Sequence, residues 1–346
     1  MRLEFRYGTV LAFILMAAAS SRLLGAGDLP LHVPATSDEP FATEFSLEKS
    51  GESLDTAAVA WQEVNQCSQC HANLMCLIAR PAVPTTAAPD VRQMYESLVS
   101  ERWETKGLRY PSEAMVVAVP LAFNDAQTTG KLHPLTRKAL DRMLTHQRPD
   151  GGWAPIGGAE RTFINEYEET LLAAMGIGAA PENYAQTEPA AKALDRVRAY
   201  LKTHAAFTPY QKGMLIWAST KVTGLLTDSD RLALAASLLT LQQADGGWNL
   251  RSLLQEVEAW QSGRFATNLP SDGYGTGFAI YAARLAGVPA DDPRIVRGIA
   301  WLKTHQRASG RWFTPSLNTY TKQNILSNSG TGFAILALRE CQPPAK

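Results

Sequence analysis

The chain has 346 residues, with 33 basic and 33 acidic side chains and a formal net charge of zero. That balance excludes the basic footprint of a nucleic-acid binder or of a protein held to an anionic membrane. Hydrophobic residues make up 45% of the chain, enough for a large core, yet no run of about eighteen apolar residues exists to span a bilayer.

Residues 1–26 follow rules of their own. Arg2 and Arg6 precede an apolar stretch at 10–19, and small residues follow it. That order is the pattern of a secretory signal peptide, with cleavage after Ser20 or Ala26. No Cys follows the apolar stretch, so no lipid anchor is indicated. The chain is expected to be periplasmic or secreted, with no membrane span left after cleavage. Residues 27–53, rich in Pro, Asp, Glu, Ser and Thr, read as a linker. The domain proper is expected over 54–342.

A helical run at 54–64 leads into Cys67-Ser-Gln-Cys70-His71. In this C-x-x-C-H spacing the two thiols match the two vinyl groups of heme, and the adjacent imidazole supplies an iron ligand. In an exported chain it points to a covalent heme c at Cys67 and Cys70, with His71 on the metal. Two alternatives stay open: a Cys67–Cys70 disulfide, and zinc held by Cys67, Cys70, Cys76 and one His. The apolar residues at 72–80 then form a helix.

Further along, one loop recurs. Gln147-Arg-Pro-Asp-Gly151-Gly-Trp153 returns as Gln242-Gln-Ala-Asp-Gly246-Gly-Trp248 and as Gln306-Arg-Ala-Ser-Gly310-Arg-Trp312. Each copy follows an amphipathic helix, marked by Leu135, Leu140 and Leu144, by Leu234, Leu238 and Leu241, and by Ile295, Ile299 and Leu302. A degenerate fourth copy at 200–205 lacks the Gly and Trp. Each loop leads to an apolar helix, and Gly-Thr-Gly-Phe-Ala-Ile occurs identically at 275–280 and 330–335. An apolar helix needs burial on most faces, so a ring of amphipathic helices around the apolar ones satisfies both sets. Counting the unit at 54–80, six pairs are expected. His146, His204 and His305 each close an outer helix and read as caps of its last carbonyls.

The stretch 297–312 resembles the QW motif of squalene and oxidosqualene cyclases. The repeats over about residues 90–342 resemble the α/α toroid that those cyclases share with protein prenyltransferases. The fold class is therefore expected to be all-α, an α/α toroid. The resemblance implies that the Gln bonds backbone at a helix end and that the Trp packs over the next helix. It also implies an apolar, isoprenoid-like ligand in a cavity lined by Phe278, Phe333, Trp217 and Met175. Cyclases that protonate an alkene carry D-x-D-D-T-A at an inner helix start, and Glu166-Tyr-Glu168-Glu169-Thr170 is the nearest match. Glu168 and Glu169 are thus the candidate acids, with Glu113 a further one. Glu replaces every Asp of that pattern, and an acidic first turn also complements a helix dipole. These carboxyls are therefore expected to be exposed or dipole-capping. The prenyltransferase zinc site is not matched, because Cys341 has no Asp-His partner.

Three functions follow as expectations: a heme-bearing toroid that binds or acts on an apolar ligand with a redox partner, a class II terpene cyclase without heme, and a non-catalytic scaffold or electron-transfer protein.

Overall fold

The computed structural model describes residues 33–65, 74–85, 89–153, 165–254, 269–317 and 324–342. The expected signal peptide at 1–26 and the C-x-x-C-H motif at Cys67, Cys70 and His71 lie outside the described residues. Among the described residues the protein is helical, with one isolated antiparallel bridge, Phe41 to Arg307. No described helix is long and apolar enough to cross a membrane.

Among the described residues, six helices alternate with six others along the chain. The outer set is α1 (Leu47–Asn65), α3 (Pro89–Ser97) continuing through a π turn into α4 (Trp103–Lys106), α6 (Pro134–Leu144), α8 (Glu188–Thr203), α10 (Asp228–Leu239) and α13 (Pro293–Thr304). The inner set is α2 (Leu74–Ala79), α5 (Glu113–Thr128), α7 (Glu166–Ala179), α9 (Pro209–Ser219), α12 (Gly273–Leu285) and α14 (Leu326–Glu340). A single turn, α11 (Leu250–Leu253), precedes α12. Outer helices bury one stripe: α6 sinks Thr136, Ala139, Leu140 and Met143. Inner helices bury nearly all faces, as in α5 from Glu113 to Asp125. Each inner helix packs on the next, and α14 packs back on α2, so the ring closes.

The recurring loops fasten neighbouring repeats by one set of bonds used three times. The indole N–H of Trp153, Trp248 and Trp312 donates to the carbonyl of Met143, Leu238 and Leu302, at 3.2, 2.8 and 2.7 Å. The backbone N–H of each Trp donates to Thr170, Thr276 or Thr331 on the following inner helix. The Gln amide reaches the next outer helix: Gln147 to Ala193 O at 3.0 Å and Gln242 to Arg294 O at 2.8 Å. Gln306 closes the circle on Ser46 O at 2.8 Å.

Gly151, Gly246 and Gly310 have φ of 96°, 92° and 88°. A Cβ at Gly151 would stand 2.3 Å from Arg196 O, and one at Gly310 the same distance from Lys49 O. Turn and close approach both demand glycine there.

Two histidines cap as read. The His204 ring lies 3.9 Å from that of Tyr200 with Nδ1 2.9 Å from Tyr200 O, and His305 repeats this on Trp301 at 4.3 and 2.9 Å. His146 carries no such bond; burial and Arg142 lower its pKa.

The linker expectation needs correcting. Residues 47–53 are the first turns of α1, and 33–46 lies along the last repeat. Composition marked this segment as polar, but its acid, Glu39, and its aromatic, Phe41, find Arg311 and Arg307 as partners.

Candidate functional site

The inner helices all begin at one rim, and their N-termini bring unusual chemistry together there. Asn165 caps α7 by accepting from Tyr167 N–H at 2.8 Å, while Glu168 accepts from Asn165 N–H at 3.0 Å. This reciprocal box satisfies donors that a helix start otherwise leaves bare. On the adjacent inner helix, Gln211 accepts from the N–H groups of Phe207 and Thr208 and hydrogen-bonds the Glu168 carboxyl.

Glu168 is 1% exposed and Glu169 is fully buried. The expectation of exposed carboxyls is therefore overturned, although the capping half of it holds for Glu168. A first helical turn whose acids complement the dipole is commonly solvated. Here α9 and its entry loop cover that turn. Burial outweighs the three bonds that favour the anion and pushes the Glu168 carboxyl up to about 7.

Glu113 meets a cation instead. It is fully buried, pairs with Arg102 and accepts from Arg109 N–H at 2.9 Å.

A second buried acid was not anticipated. Asp272 caps α12, accepting from Gly275 N–H and Leu250 N–H, each at 2.8 Å. Burial pushes it up to about 6. The sequence signal was available: Ser271-Asp272-Gly273 before an apolar helix is an N-cap pattern. Beside it, the hydroxyls of Tyr210 and Tyr274 meet at 2.8 Å between α9 and α12.

Beneath this polar rim the bore is filled. The Tyr210 ring lies 4.6 Å from Phe278, Phe278 lies 5.2 Å from Phe333, and Phe333 lies 5.9 Å from Trp217. Trp217 continues to Phe123 at 5.6 Å. Phe278, Phe333, Trp217 and Met175 are all 2% exposed or less. Among the described residues, the expected cavity lined by these four side chains is thus absent at that depth, because the aromatic rings reach across the bore and pack against one another, largely edge to face. The opposite rim holds a cleft of about 980 Å³. Among its charged walls, Arg80 pairs with Asp55 at 3.0 Å and Arg92 with Asp125 at 2.7 Å.

The chain is an α/α toroid. No protein-family model matches it, and no curated protein matches it in sequence. Solved structures do. A wild-type glycosidase superposes with a TM-score of 0.56 at 12% identity, covering 86% of this chain and 98% of that one. A polysaccharide lyase gives 0.53 at 13% identity, over 85% and 96%. The ent-copalyl diphosphate synthase of Streptomyces platensis gives 0.51 at 16% identity over 77% of this chain, which spans 49% of the synthase. At such identities the likeness establishes the fold alone. The toroid is therefore shared with glycan-processing enzymes as well as with terpene cyclases.

Cys76 bears on the metal alternatives. It is fully buried between α1 and α2, and its thiol donates to Leu54 O at 3.6 Å. Burial, reinforced by nearby Asp55, pushes that thiol well up. No cluster of three or more His, Cys, Asp or Glu suited to a metal occurs among the described residues.

Proposed function

We propose that this protein is an exported hemoprotein, an α/α toroid carrying one covalent heme c at the entry to its first inner helix. Cys67 and Cys70 would hold the group by thioether bonds and His71 would ligate its iron. Bound there, it supplies one-electron chemistry. The observation that carries this reading is the sequestration of Cys76. With that thiol committed to the α1–α2 interface, the donor set of the C-x-x-C-H loop is two thiols and one imidazole, the set that heme attachment uses. The filled bore supports a ligand at the rim, an apolar molecule of isoprenoid type, with electrons exchanged with a redox partner outside. Protein matured with heme-attachment machinery tests this directly. It should gain one heme mass that survives acid and denaturant, and a zinc-loaded or colourless product refutes the reading.

Acid catalysis at the rim is a second reading, favoured by the burial of Glu168 and Glu169. An acid that protonates an alkene must be strong, whereas Glu168 holds its proton up to about 7. That value suits a general acid working on an oxygen leaving group near neutral pH better than a class II terpene cyclase. Release of nitrophenol from aryl glycosides, abolished in Glu168→Gln, would establish this reading. No release would remove it.

A further inference from the structure

Of the three recurring loops, the last departs from the other two in a coordinated way. Asp150 and Asp245 each fold back within their own loop to accept from the N–H of Gly152 and Gly247, both at 3.0 Å. The third loop has Ser309 in place of that Asp and Arg311 in place of the second Gly. The missing carboxylate comes from elsewhere: Glu39 accepts from Ser309 N–H at 2.9 Å and stands 3.5 Å from the Arg311 guanidinium.

The backbone completes the pairing. Ala42 N–H donates to Gln306 O at 2.7 Å and Ala308 N–H donates to Pro40 O at 2.9 Å, around the Phe41–Arg307 bridge. The Arg307 guanidinium sits 4.3 Å from the Phe41 ring and donates to Glu39 O. An acid at a bend, then a proline and an aromatic residue paired through one bridge, are thus read by two arginines and an open loop edge, in the manner of peptide recognition by strand addition.

Glu39 to Ala42 are seated without being part of the core, between Ala35, which is buried, and Phe45, which packs on the core. Phe41 is half exposed, and a cavity of about 520 Å³ lies between the segment and α1, walled by Thr36, Asp38, Lys49, Glu52 and Ser53.

We infer that the loop 306–312 is a binding site for an extended acidic–aromatic peptide, and that its resident ligand is the chain's own Glu39–Ala42 segment. The segment acts as a releasable clasp on the seam between the last repeat and the first.

Hydrogen exchange on the full chain tests it. In Glu39→Ala, amides of 306–312 and of α1 should exchange at least about tenfold faster, while 188–254 stays unchanged. Glu39→Gln, which keeps an acceptor for Ser309, should lie between. A synthetic peptide of residues 33–46 added to the Glu39→Ala chain should restore protection, and the same peptide lacking Glu39 should not. Unchanged exchange in Glu39→Ala overturns the site, as does acceleration spread evenly over all repeats. Local acceleration that the peptide fails to rescue overturns the claim that the ligand is exchangeable.

Discussion

Gln306 and Ser46 stand 260 positions apart and hold each other through both ends of one amide: Ser46 N–H donates to Gln306 Oε1 at 2.8 Å, and Gln306 Nε2 donates to Ser46 O at 2.8 Å. The same Nε2 lies 2.8 Å from Ser50 Oγ and 3.0 Å from Gly310 O. The Gln147 side chain bonds to Gly151 O and Ala193 O and is half-buried. The staple that closes the ring is therefore the most heavily bonded of the three. Truncating Gln306 to Ala leaves several buried groups unpaired and should cost about 3 kcal/mol, against about 1 kcal/mol for Gln147→Ala. Denaturant unfolding of the two variants measures the difference, and equal costs would show that ring closure adds nothing special.

Trp248 offers a way to separate packing from hydrogen bonding. Its indole is fully buried, and its N–H donates to Leu238 O. Trp248→Ala should cost about 3–5 kcal/mol, the range for emptying an aromatic site in a packed core. Trp248→Phe keeps most of the volume and orphans the carbonyl, for a loss of about 1–3 kcal/mol. If the Phe variant proves as damaged as the Ala variant, the hydrogen bond outranks the packing.

Much of this architecture was legible because its signals are local. Gln147, Gly151 and Trp153 recur at fixed spacing, so the loop, its glycine and the helix pair around it could be read from a short window. The partners of those residues were not legible in the same way. Nothing near Gln306 points to Ser46, and nothing near Glu39 points to Arg311, since each bond joins the first repeat to the last. Glu168 shows the other failure. Its place in a first helical turn was readable, but its burial depends on Gln211 and the entry to α9. The bore was misjudged for a geometric reason. Phe278, Phe333 and Trp217 were correctly assigned to the inside, yet inward-facing rings line a cavity only where the bore is wider than the rings can span.

Stability should carry a signature of the buried acids. The Glu168 carboxyl is raised from an ordinary 4.5 to about 7, so the folded protein holds that proton more tightly than the unfolded chain. Its contribution is fully present below about pH 4.5 and is lost as pH rises through about 7, by up to about 3 kcal/mol. Glu168→Gln keeps an acceptor for Asn165 N–H but cannot ionise, so its melting temperature should fall less between pH 5 and 8 than that of the parent. A shallower slope should remain between about pH 4 and 6, because Asp272 is also raised, from 3.8 to about 6. Parallel pH profiles for parent and variant would mean that Glu168 ionises in the folded state as readily as in the unfolded chain.

The cofactor assignment yields the sharpest separation of alternatives, because each one treats the four thiols of the chain differently. Heme attachment needs Cys67 and Cys70 as thioethers and His71 on the iron, and leaves Cys76 and Cys341 as spectators. Cys76 already donates to Leu54 O in a closed interface, and Cys341 is half-buried beside Arg284. Cys76→Ser and Cys341→Ser should therefore keep full heme content, Cys76→Ser at a modest cost in stability. Replacing Cys67 and Cys70 together should leave heme extractable by acid, and replacing His71 should move the Soret band while the thioethers hold. A zinc site predicts the opposite for Cys76, with metal lost in Cys76→Ser and restored by nothing at His71. A Cys67–Cys70 disulfide predicts a colourless protein whose labelled thiols, counted after denaturation, rise from two (Cys76 and Cys341) to four on reduction. Intact mass, thiol counting and the visible spectrum of this one set of variants therefore assign the motif, whichever reading prevails at the rim.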